Sequence, residues 1–257
     1  MDASVIRVVK ALVPELAAAG ASSVLVTGSQ ACGDAHRESD VDVLVLGVGE
    51  EYRLRRCEPH LVSISWTTPE QVRELFSSPD AAFVVPGWRT ALVVYDPKNA
   101  AAELQAAAQA WTWETVGDER CNAHVAAAVT GLAEELHKLV TARELDRKWT
   151  AAVQRSLLAL QLAGAMAVHH RMIYDSENRL WDLVAGRMGP AWMRAQSAAL
   201  ADAGQPFDES CRAALDLYCL AAHVAEGLFS AEQQEVVAHA LRLAASPPPF
   251  SIAELRL

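Results

Sequence analysis

Paired cysteines are missing from this chain. Cys32, Cys57, Cys121, Cys211 and Cys219 form no CxxC unit and leave an odd count, which excludes finger-type metal spacing and suits reduced thiols in the cytoplasm. Basic charge is also scarce: 22 Lys and Arg stand against 32 Asp and Glu, a formal net charge of −10. Phosphate backbones demand a basic footprint, so nucleic acid is not expected as the main partner. The same balance is compatible with a cationic small substrate, although plain globular proteins are often acidic too. No apolar run approaches the roughly 20 residues of a membrane span. The N-terminus carries Arg7 and Lys10 within a helical apolar pattern, not the continuous apolar core of a signal peptide. Membrane partners are therefore not expected, and no internal repeat is visible.

What is present is ample material for a core, with 52% hydrophobic and 21% charged residues over 257 positions, enough for one large domain or two of ordinary size. Val5, Val8, Val9, Leu12, Val13 and Leu16 recur at helical spacing and end at Gly20. Short strands are predicted at 24–27, 41–46, 61–67 and 91–95, with a short helix or turn after Gly28-Ser29. Thr68 and Pro69 read as the N-cap and first position of a helix. From Lys98 onward the pattern is alanine- and leucine-rich and helical, broken near Gly117, Lys148, 174–176, Gly189-Pro190 and 204–207, and stopped by the prolines near Ala245. The expected architecture is an α+β N-terminal domain, a small mixed sheet with helices over residues 1–115, followed by an all-α helical bundle over 116–257.

One stretch departs from this generic pattern: GSQACGDAHRESDVDVLV, residues 28–45. Side chains alternate along a strand, so Asp40 and Asp42 project to one side and Val41 and Val43 to the other. Two carboxylates that close repel by a few kcal/mol at an effective dielectric of about 20. Solvent, a shared proton or a bound hard cation such as Mg2+ relieves that repulsion. An exposed strand start explains an isolated DxD. Here Gly28-Ser29 precedes the pair at the end of an apolar strand, where a small residue lets a phosphate approach backbone amides.

The combination resembles the DNA polymerase β-like nucleotidyltransferase superfamily, whose signature is a Gly-Ser turn followed about ten residues later by Asp-x-Asp. Gly28, Ser29, Gly33, Ser39, Asp40 and Asp42 match it. The stretches LVVYDPKNAAAEL, EELHKL and GAMAVHHRMIY are similar to the aminoglycoside (kanamycin) nucleotidyltransferases. The resemblance implies that the Gly-Ser turn cradles a triphosphate and that Asp40 and Asp42 hold Mg2+. It further implies transfer of AMP from ATP to a hydroxyl of a small molecule such as an aminoglycoside, with in-line displacement at the α-phosphate. A homodimer is a further partner expectation.

Two positions depart from the family pattern. Cys32 stands where an arginine is frequent, and HLVSISW offers Ser63 or Ser65 where a third carboxylate is usual. Arg37 is a substitute phosphate contact, or else a solvated loop residue; Ser39 is grouped with the nucleotide contacts. By the same resemblance Glu135 of the helical part is the general base, with Glu134 as alternate and Lys138 one turn on. An ordinary surface ion pair explains Glu135 and Lys138 equally well. His169-His170 are adjacent on a helix and so cannot share one face as a metal pair. Trp111, Trp113 and Trp181 read as packing residues, and Ser176 as a helix cap. The rival from another class is a non-catalytic nucleotide-binding or interaction protein of the same fold.

Overall fold

The computed structural model describes residues 3–50, 52–200 and 206–245. Two compact units emerge, one of residues 1–118 with 173–179, the other of 119–172 with 180–257. The first is the α+β part and the second is helical, the fold class expected from the sequence.

In the first unit, α1 (Ala3–Ala18) leads into β1 (Ser23–Thr27), the single-turn α2 (Gly28–Cys32) and β2 (Val41–Leu46). Next come β3 (Tyr52–Cys57), β4 (His60–Thr67), α3 (Pro69–Phe76), α4 (Ala81–Thr90), β5 (Leu92–Tyr95) and α5 (Ala100–Ala110). The five strands order as β3-β4-β2-β1-β5. The central β2 runs antiparallel to β1 and parallel to β4, and β3 closes one edge antiparallel to β4. The apolar stripe of α1 (Val5, Val9, Leu12 and Leu16) packs on Val24 and Val26 of β1, Val41, Val43 and Val45 of β2, and Val62 and Ile64 of β4. Those strand residues alternate by two, so Asp42 and Leu44 are turned to the opposite face of the sheet.

Two elements went unseen in the sequence. Strand β3, YRLRRC, has no buried position, and its Arg53 and Arg55 lie over the end of α1, where Arg55 donates two hydrogen bonds to Glu15 at 2.8 and 2.7 Å. Helix α4 runs through Pro86 and Gly87, residues that read as breakers, and nevertheless buries Ala81, Ala82, Val85, Pro86 and Trp88. Trp111 packs as expected: its indole N–H donates to the Phe76 carbonyl at 2.7 Å.

The helical part comprises α6 (Asp118–Glu144), α7 (Lys148–His169), α8 (Glu177–Met188), α9 (Pro190–Leu200), α10 (Phe207–Val224) and α11 (Ala231–Ala245). Helix α10 packs on α7 and α9, burying Leu158, Leu162, Met166, Trp192, Leu215 and Tyr218. By length and composition α7 is able to cross a membrane, which corrects the sequence expectation that no segment is; half of that window is buried in the protein, as in a core helix.

Candidate functional site

Asp42 is the second residue of the central strand, flanked by Thr27 of β1 on one side and Ser63 of β4 on the other. Ser63 Oγ donates to Asp42 Oδ1 at 2.7 Å. On the other flank Gly28 adopts φ +63°, and a Cβ there would run into Asp42 Oδ2 and stand 3.1 Å from Cγ. Only glycine satisfies both that conformation and that approach. The Gly-Ser turn is therefore packed directly against the carboxylate.

Burial, the largest influence, pushes the Asp42 carboxyl above its ordinary range; the Ser63 hydrogen bond opposes this, and the charge of Asp40 raises it further. A carboxylate under that strain, with a second one beside it and oxygen donors around, fits a hard divalent cation. The third carboxylate is absent: at the β4 position level with Asp42 the chain has Ser63.

The turn after Gly28 is closed on Ser29, whose carbonyl accepts from the Gly33 and Asp34 amides at 3.1 Å each and from Cys32 Sγ at 3.7 Å. Ser39 belongs to the following loop: its hydroxyl accepts from the His36 amide at 3.0 Å. Arg37 is 95% exposed with Glu38 at 3.5 Å. An open cavity of about 610 Å³ is bordered by Gln30, Gly33, His36, Arg37 and His60, beside the motif turn.

A second group in the same unit carried no sequence signal. Cys32, Asp34 and Asp175 bring their ligand atoms within 4.8 Å of one another. Arg179 pairs with both of its acids, at 2.9 Å from Asp34 and 3.4 Å from Asp175. Asp175 arrives on a segment distant in sequence, which spacing along the chain does not reveal.

Glu135 and Lys138 lie in the helical unit on α6. Lys138 Nζ stands 2.8 Å from Glu134 Oε1 and 3.1 Å from Glu135 Oε1. That pairing holds the Glu134 carboxyl below, and the Lys138 ammonium above, their ordinary ranges. Glu134 and Lys138 line a groove of about 800 Å³ with His137, Glu235 and His239, whereas Glu135 has its Oε2 buried without a hydrogen-bond partner. His169 and His170 turn their rings at 85° to each other, and His170 Nε2 lies 3.2 Å from Met188 Sδ.

Residues 6–108 match the model of the nucleotidyltransferase domain family. That span runs from α1 through the motif to α5. The crystal structure of a nucleotidyltransferase-like protein from Exiguobacterium sibiricum 255-15 matches with a TM-score of 0.53 at 10% identity, covering 97% of this chain and 83% of that one. At that identity the likeness is one of fold. No curated protein matches the sequence.

Proposed function

We propose that the protein is a Mg2+-dependent nucleotidyltransferase that moves AMP from ATP onto a hydroxyl of a small molecule and releases pyrophosphate. The observation that carries this reading is the contact between the Gly28 turn and the Asp42 carboxylate, with Asp40 alongside, inside the span that matches the family. Asp40 and Asp42 would hold the metal, which supplies charge neutralisation at the phosphate oxygens during in-line displacement. Gly28 and Ser29 would cradle the triphosphate, with Ser39 and Arg37 as further phosphate contacts. The acceptor oxygen forms its bond to the α-phosphorus as the bond to the bridging oxygen breaks, and the acceptor proton passes to a carboxylate.

For that base we propose Glu135, with Glu134 as alternate and Lys138 as a nucleotide contact. An aminoglycoside-type antibiotic is the acceptor suggested by the resemblance and by the acidic composition, and a homodimer is the assembly proposed with it. Five free thiols support a cytoplasmic setting.

The test is calorimetric titration of Mg-ATP into wild type and Asp42→Asn, followed by pyrophosphate release with an acceptor panel and mass spectrometry for added AMP. Metal-dependent binding that disappears in the variant, with its circular dichroism intact, is the expected result. Equal turnover in the variant would sink the assignment. One observation favours the non-catalytic reading: Ser63, not an acid, is the hydrogen-bond partner of Asp42. Metal-dependent ATP binding without pyrophosphate release from any acceptor would favour it.

A further inference from the structure

The face of the sheet that carries Asp42 is asymmetric. On its β1 side stands the Gly28 turn, so a nucleotide held by that turn lies there. On its β4 side Ser63 is buried, and the apolar side chains that flank it are exposed. Leu54 pairs with Ser63, and Ser63 with Asp42, so the three lie on one rung and one face. Tyr52 pairs with Ser65 on the same face, and Leu61, two residues before Ser63, belongs to it as well. The register places Leu61 level with Asp40, one step before the Val41–Val62 pair.

These three apolar side chains are exposed: Tyr52 61%, Leu54 52% and Leu61 46%. At about 4.8 Å between strands, Leu54 lies roughly 10 Å from Asp42, the span of a fused two-ring molecule. A hydroxyl brought to the carboxylates from the β4 side would lay its body on this strip.

The charge of the strip matters as much as its shape. Its polar members are Ser63, Ser65 and Arg56, the last bonded to Glu58 at 2.8 Å. No carboxylate projects from these strand positions other than the aspartate pair, which the metal would engage. Glu58, the carboxylate beside the strip, is already paired with Arg56, so the strip offers a polycation little to bind, while a flat apolar body covers two leucines and a tyrosine ring.

We propose that the acceptor is a largely apolar alcohol or phenol whose ring body packs on Tyr52, Leu54 and Leu61 while its hydroxyl meets Asp40 and Asp42. This rests on the nucleotidyl-transfer reading and replaces its aminoglycoside acceptor.

The test uses 2-naphthol and kanamycin as probes, titrated by saturation-transfer NMR into the full chain loaded with Mg2+ and a non-hydrolysable ATP analogue. Wild type is expected to bind 2-naphthol saturably. The double variant Leu54→Ser/Leu61→Ser, which adds no charge beside Asp40 and Asp42, should weaken that binding at least tenfold and leave the affinity for the Mg-ATP analogue within twofold, and kanamycin should give no saturable signal with wild type. The milder Leu54→Ser should fall between. Naphthol binding that is absent in wild type or unchanged in both variants overturns the inference, and so does saturable kanamycin binding. Sedimentation provides a further decisive outcome: a wild-type dimer that the double variant dissociates would mean that a second copy covers the strip. Failure to bind the Mg-ATP analogue would instead overturn the nucleotidyl-transfer reading itself, and this inference with it.

Discussion

Asp42 sits under opposing electrostatic influences. It is a carboxylate between a serine hydroxyl and a glycine turn, with a second carboxylate two positions away, and burial raises its pKa. A carboxyl whose pKa is higher in the fold than in the unfolded chain holds its proton more tightly when folded. Its contribution to stability is full below the unfolded value and is lost as pH rises through the folded one. Metal-free protein should therefore lose stability as pH rises through the window above the ordinary carboxylate range, and Asp42→Asn should flatten that decline. At neutral pH the metal-free variant should melt at or above wild type, because one of two like charges is gone. Melting curves across pH with chelator check this; a variant less stable at every pH, with the same pH slope, would contradict it. The motif made Asp40, Asp42, Gly28 and Ser29 legible in sequence. The following strand also showed a serine, Ser63 or Ser65, in place of an acid, but not that Ser63 is the one that donates a hydrogen bond to Asp42.

At the scale of elements, legibility tracked burial and local chemistry. Thr68-Pro69 announces α3, and the structure completes a reciprocal cap: the Gln71 amide donates to Thr68 Oγ1 at 3.2 Å, and the Thr68 amide to Gln71 Oε1 at 2.8 Å. Thr68→Ala removes the first of these bonds and should cost about 1 kcal/mol, read as a lower denaturation midpoint, while Thr68→Ser should recover most of it. An unshifted midpoint in Thr68→Ala would show that α3 is held by Val72 and Phe76 alone. Ser176 acts similarly, accepting from the Asn178 amide at 3.2 Å. Strand β3 escaped notice because an edge strand exposed on most positions shows no apolar alternation. Helix α4 was hidden by Pro86-Gly87, whose local cost is offset by burial of Val85 and Trp88.

Over the whole molecule, the change from strand-bearing to helical sequence near residue 98 was readable from composition. The return of residues 173–179 to the first unit was not. That segment is fixed by contacts between residues distant in sequence: the Tyr174 amide donates to the Ala82 carbonyl at 2.9 Å, its ring meets Phe83 at 5.6 Å, and Arg179 pairs with Asp34. The contribution to chemistry proposed for the helical unit is the carboxylate pair on α6. Glu135 has one oxygen on Lys138 and the other buried with no partner; an unpaired carboxylate oxygen is costly to keep unless it serves something. Glu134 is exposed in a groove with the same lysine. Glu135→Gln preserves shape and removes the proton acceptor. Turnover should fall by roughly 10²- to 10⁴-fold, the usual worth of a general base, with Mg-ATP affinity unchanged and the melting midpoint equal or higher. A purely structural role for Glu135 predicts the reverse, a shifted midpoint with turnover per folded molecule intact. If Glu134→Gln loses turnover and Glu135→Gln keeps it, the base is the groove residue, and if both keep it, neither glutamate is the base.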